Sequence, residues 1–141
     1  MVRFYYGEDG KGKLVRDRLD EKIRSERHVV KTRKLASEEL GREILKKIPE
    51  ELGELLAALE GGKQSEEIEE FADVLSLIGS YAKARGLDDT EVQRVKQAKD
   101  DKKGAFDDGT FIEYVELNPD GDDYEFWLNY FRKNSDRYIE G

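Results

Sequence analysis

The chain contains no cysteine, one histidine, two prolines, one tryptophan and one methionine among its 141 residues. Without cysteine there is no disulfide framework, no zinc–thiolate centre and no thiol nucleophile. The single histidine, His28, excludes a multi-histidine metal site and sits in a segment that reads as surface, so it is assigned no role. No serine–histidine pair is well placed, and a covalent enzyme intermediate is not expected. No apolar run approaches the roughly 18 residues that suggest a membrane span. The first residues, MVRFYYGEDG, are not of signal-peptide type, so a reducing cytoplasm is the expected location. Scarce proline beside long runs of Glu, Lys, Leu and Ala favours an all-α fold.

What is abundant is charge. Charged residues make up 41% of the chain and the formal net charge is −8. The length suits one domain, residues 1–141, with a core at about 13–115 and an aromatic C-terminal extension at 119–141. Residues 11–34 carry ten Lys/Arg against four acids, whereas residues 35–91 carry six against fifteen. An acidic centre flanked by a basic segment is a poor footprint for duplex DNA. It suits an anionic small molecule that bridges a metal ion and lysines, and neither nucleic acid nor membrane is expected as a partner.

Hydrophobic periodicity sets out the helices. Leu14, Val15, Leu19 and Ile23 place a sparse stripe on a helix over Lys13–Glu26, with Asp17 as its capping residue. Ser37 is the expected N-cap of the next helix, whose stripe of Ile44, Leu45, Ile48, Leu52 and Leu55 runs across Pro49. A proline there requires a kink or a restart. Gly61-Gly62 is the turn, Ser65 the next N-cap, and Gly86 the stop signal. This third helix is apolar on two sides, Ile68/Phe71/Leu75/Ile78 and Val74/Leu77/Tyr81. Two apolar faces call for two coverings, one in the subunit core and one against a second subunit. A further helix starts at Asp88-Asp89 and runs to about Lys103, and the aromatic tail from Tyr124 reads as one more. Val2–Tyr6 and Phe111–Leu117 read as a small peripheral β element.

The centre of the chain is Glu50–Asp73. It holds Glu51-x-x-Glu54 and Glu70-x-x-Asp73, one on each side of Gly61-Gly62. Positions three apart on a helix project from one face, so each pattern aims two carboxylates in one direction. Folding the helices back across the glycines brings four carboxylates together, which suits a hard cation such as Mg²⁺. Acidic pairs on solvated faces are common in so acidic a chain. Here, however, Glu51 shares its face with Leu55 and Ala58, and Glu70 shares its face with Val74, Leu77 and Tyr81. A carboxylate on a face that seeks burial needs a partner or a metal.

Four segments together carry a family resemblance: KLVRDR at 13–18, EELGE at 50–54, EEFAD at 69–73 and KQAKDDKKGAF at 96–106. They resemble the MazG-like all-α nucleoside triphosphate pyrophosphohydrolases, in the short variant that begins with Lys-Leu-Val-Arg-Asp. The resemblance implies an oligomeric helical bundle, a homodimer or a dimer of dimers. It also implies Mg²⁺-dependent cleavage (Mn²⁺ as a substitute) of a nucleoside triphosphate, non-canonical ones included, to monophosphate and pyrophosphate. Glu51, Glu54, Glu70 and Asp73 match the metal ligands, and Glu50 the outer group or base that orients water. Lys13, Arg16, Lys99 and Lys103 match substrate-binding positions. The chain departs from the pattern at Leu19-Asp20-Glu21, where the family has Ile-Pro-Glu, and at Gly104-Ala105-Phe106, where it has Gly-Gly-Phe.

Two other readings remain. Phosphoribosyl-ATP pyrophosphohydrolase has a related fold and the same acidic core, although the Lys-Leu-Val-Arg-Asp motif argues against it. Outside enzymes, the alternative is a non-catalytic helical oligomer whose acidic faces are salt-bridged and whose aromatic tail is an interaction surface.

Overall fold

The computed structural model describes residues 1–141. The chain forms five helices and no strand: α1 (Leu19–Ser25), α2 (Ser37–Glu60), α3 (Gln64–Ala84), α4 (Asp89–Lys103) and α5 (Tyr124–Lys133). They fall into two compact units, Met1–Ala98 and Lys99–Gly141, divided within α4. No helix is long and apolar enough to cross a membrane.

The first unit is organised on the hairpin of α2 and α3. Gly62 adopts φ +68°, and the N–H groups of Gly62 and Lys63 donate to the carbonyls of Leu59 (3.1 Å) and Ala58 (3.4 Å). This pair of bonds closes the C-terminus of α2 around a left-handed residue that glycine adopts without strain. Gly86 ends α3 in the same way, with φ +63° and bonds from Gly86 and Leu87 to Lys83 and Ala82. At the far end of the hairpin a Cβ on Gly41 would lie 3.1 Å from Arg85 Cδ, so the absent side chain lets the start of α2 approach the end of α3. The buried positions of α2 are Gly41, Ile44, Glu51 and Ala58, a single stripe. Across from it α3 buries Val74 and half-buries Leu77 and Tyr81. Glu51 therefore occupies a position that the periodicity reserves for an apolar residue.

Several local expectations are corrected. α1 begins at Leu19 with Arg18 at its cap position and no side-chain cap bond, so Asp17 does not cap it. Residues 13–16 are not helical. Lys13 reaches Glu50 on α2 and Arg16 reaches Asp73 on α3. A non-helical course lets these two near neighbours engage different helices. α2 continues through Pro49 without a restart, with Ala36 rather than Ser37 at its cap position, and α3 starts at Gln64 after Lys63 rather than after Ser65. Asp88 does cap α4, its carboxylate accepting from Glu91 N–H at 3.1 Å.

The small β element does not form. A strand's peptide groups require a ladder partner, and propensity alone supplies none. Phe4, Tyr5, Phe111, Ile112 and Tyr114 are exposed, and the bond from Gly12 N–H to Tyr6 C=O (2.8 Å) closes a local turn instead.

In the second unit the aromatic tail is helical over α5 as expected. Its rings pack on one another: Trp127 stacks on Phe131 with centroids 6.0 Å apart, and Phe131 meets the edge of Tyr138 at 4.9 Å. Arg132 forks onto the carboxylate of Glu140 (2.7 Å), tying the end of the chain back to α5.

Candidate active site

The carboxylates come together through hairpin geometry. Glu51 and Asp73 stand equally far from Gly62 along the chain, so antiparallel helices bring them level. Glu51, Glu70 and Asp73 each present a carboxylate oxygen within 4.8 Å of the others. Glu51 is 8% exposed, the one charged residue that the fold buries. Glu54 is exposed and lies outside that group of three.

Glu51, Asp73 and Glu50 each have a cation. Lys47 lies 3.2 Å from Glu51 one turn earlier on α2, and both side chains are largely buried. Arg16 donates to Asp73 and Lys13 to Glu50. Glu70 differs: its Oε2 is buried with no hydrogen-bond partner. An orphaned buried carboxylate oxygen is costly and points to a ligand that completes it. Three converging carboxylates with one unpaired oxygen fit a hard divalent cation, which takes oxygen ligands. Lys47 carried no signal of its own in the sequence, because a lysine four residues before a glutamate reads as an ordinary surface pair.

Glu50 stands beside the group rather than in it. The hydrogen bond from Lys13 holds its carboxyl below the usual carboxylate range, aided by the charges of Lys47 and Lys13. The same bond raises Lys13, with the charges of Glu50, Glu51 and Glu54 adding to the effect. A small cavity of about 90 Å³ adjoins this pair, lined by Lys13, Leu14, Glu43, Lys46, Lys47 and Glu50. Lys99 and Lys103 stand on the last turns of α4, exposed and in the second unit, and their assignment to phosphate rests on the resemblance alone.

The Lys13–Glu50 pair has a pH signature. The depressed Glu50 contributes stability that is present above its unfolded value and lost as pH falls through the lower folded one. The raised Lys13 contributes stability that is present below its unfolded value and lost as pH rises through the higher folded one. Wild type should therefore exceed Lys13→Met in stability only between these limits. A carbon-13 titration should show Glu50 moving up towards the ordinary range in the variant, with Lys47 still holding it somewhat low. An unchanged Glu50 titration would mean that Lys13 is not its partner in solution.

Fold and site define a class: an all-α protein in which a helical hairpin gathers carboxylates over a basic N-terminal segment. Residues 13–99 match the phosphoribosyl-ATP pyrophosphohydrolase family. The chain belongs to that family, which lies within the MazG-like all-α nucleoside triphosphate pyrophosphohydrolases. The match is to the family that the Lys-Leu-Val-Arg-Asp motif argues against, but the coarser chemistry is common to both: pyrophosphohydrolase action on a nucleotide. Comparison with curated proteins and with solved structures gives no match.

Proposed function

We propose that the protein hydrolyses a nucleoside triphosphate, non-canonical ones included, between its α and β phosphates, giving nucleoside monophosphate and pyrophosphate. The observation that carries this reading is the convergence of Glu51, Glu70 and Asp73, together with a buried and unpartnered oxygen on Glu70. These three would hold Mg²⁺ or Mn²⁺, with Glu54 as the fourth ligand that the resemblance supplies. When bound, the divalent cation neutralises phosphate charge and acidifies water.

The chain's own groups do the rest. Glu50, ionised at neutral pH and held in place by Lys13, accepts a hydrogen bond from water and orients it. A carboxyl held below its usual range is a weak general base, so orientation is its better role. Lys13 and Arg16, which pair with Glu50 and Asp73, supply donors to the substrate's phosphates. Glu51 is kept in place by Lys47 and by its position in the buried stripe of α2. Catalysis then rests on position and charge rather than on a covalent intermediate.

The family match favours one specific second substrate, phosphoribosyl-ATP, split at the same bond. Product analysis over canonical and modified triphosphates and phosphoribosyl-ATP tests both. Monophosphate and pyrophosphate are expected, with strict dependence on Mg²⁺ or Mn²⁺. Orthophosphate and a diphosphate as first products would sink the proposal, since those come from the other anhydride bond.

The subunit also has more apolar surface than its core uses. Only Ile44, Ala58 and Val74 are buried apolar residues, while Ile68, Phe71, Leu75 and Ile78 of α3 are about half exposed or more. Together with Leu52, Leu55, Leu56 and Leu59 of α2, Ile68 and Phe71 line an open groove of about 560 Å³. A second copy of the chain covering this face would make a homodimer, alone or within a dimer of dimers.

A further inference from the structure

Residues 13–16 form a strap across the hairpin, and little but its side chains holds it there. Among its backbone groups, Arg16 C=O accepts from Leu19 N–H (3.1 Å), a local bond that leads into α1. Leu14 and Val15 are half-buried, Lys13 pairs with Glu50 on α2, and Arg16 pairs with Asp73 on α3. The partners differ in kind. Lys47 belongs to the same helix as Glu51 and stays beside it by helix geometry, with both side chains largely buried. Arg16 comes from a distant part of the sequence, and its side chain is 66% exposed.

Asp73 thus offers its carboxylate to two claimants. A divalent cation drawn to Glu51, Glu70 and Asp73 would draw on the same carboxylate that Arg16 holds, and its charge would repel the guanidinium. A doubly charged ion with three carboxylates outcompetes one exposed guanidinium, because an exposed ion pair is weak.

We infer that Arg16 is a built-in competitor for the cation site: metal loading displaces it from Asp73, loosens the strap, and frees Arg16 for the substrate's phosphates. Cation binding then favours substrate binding by a modest factor, because it removes the pair that holds the phosphate-binding group. This inference rests on the metal site proposed above.

The test is Mg²⁺ binding by calorimetry on wild type, Arg16→Gln and Arg16→Lys, together with amide hydrogen exchange across residues 13–18. Arg16→Gln is expected to bind Mg²⁺ about two- to fivefold more tightly than wild type, the range for losing one exposed ion pair. Arg16→Lys, which keeps the charge, should stay close to wild type. Mg²⁺ should speed exchange in residues 13–18 of the wild type, a readout that needs no variant to fold. Equal or weaker binding by Arg16→Gln, with exchange unchanged in wild type, overturns the inference while leaving the metal site intact. Absence of Mg²⁺ binding by wild type and variants alike overturns both.

Discussion

Glu70→Gln is expected to abolish pyrophosphate release and yet leave the metal-free protein as stable as wild type, or more so. Glu70 Oε2 is buried without a partner, and its carboxylate lies within 4.8 Å of those of Glu51 and Asp73. Like charges at that range repel, and the repulsion is stored in the native state. A neutral amide relieves it, so melting without metal should be unchanged or improved by about 1 kcal/mol. Activity should fall by about 10²-fold or more, the scale seen when one preorganised electrostatic group is removed. Magnesium separates the two proteins further. A cation that binds only the folded state stabilises it by about 2.7 kcal/mol at a hundredfold excess over its dissociation constant. Several degrees of melting temperature should appear in wild type and almost none in Glu70→Gln. Asp73→Asn should behave likewise, apart from the few tenths of a kcal/mol at stake in its exposed pair with Arg16. If magnesium shifts wild type and Glu70→Gln alike, these carboxylates are not its ligands.

The second large effect concerns Ile68, which is 63% exposed on one chain. On a free surface, Ile68→Glu would change stability by no more than about 0.5 kcal/mol. On a face covered by a second copy, the same carboxylate is buried without a partner, at about 3–5 kcal/mol. The expected result is therefore a protein that light scattering reports as monomeric and that melts well below wild type. Leu56→Glu, across the groove, should do the same. Both variants keeping the wild-type mass and melting temperature would show that this face is not the subunit contact.

The α2–α3 hairpin was readable from local sequence because its signals are local. Apolar spacing marks the helices, Gly61-Gly62 and Gly86 mark their ends, and the shared faces of Glu51, Glu70 and Asp73 foretell their meeting. Two features escaped that kind of reading. Val2–Tyr6 and Phe111–Leu117 have strand-like composition, but a strand exists only with a partner, and composition does not specify one. The strap at 13–16 is held by side chains that meet α2 and α3 far along the chain. Its Leu14/Val15 pattern resembles the start of a helix, which accounts for the overlong α1. Glu54 shows the limit of wheel arguments. It shares a helix face with Glu51, yet only Glu51 falls on the stripe that meets α3.

The equal distance of Glu51 and Asp73 from Gly62 makes the carboxylate cluster a matter of phase. Each residue added to a helix turns everything beyond it by about 100° and advances it by about 1.5 Å. One residue gained or lost between Gln64 and Glu70 would leave both helices intact and every carboxylate present. Relative to the turn, though, Glu70 and Asp73 would swing off the face that meets Glu51. The spacing across the turn is therefore part of the site, as much as the acidic residues themselves, and a sequence can keep all its acids and still lose the place where they meet.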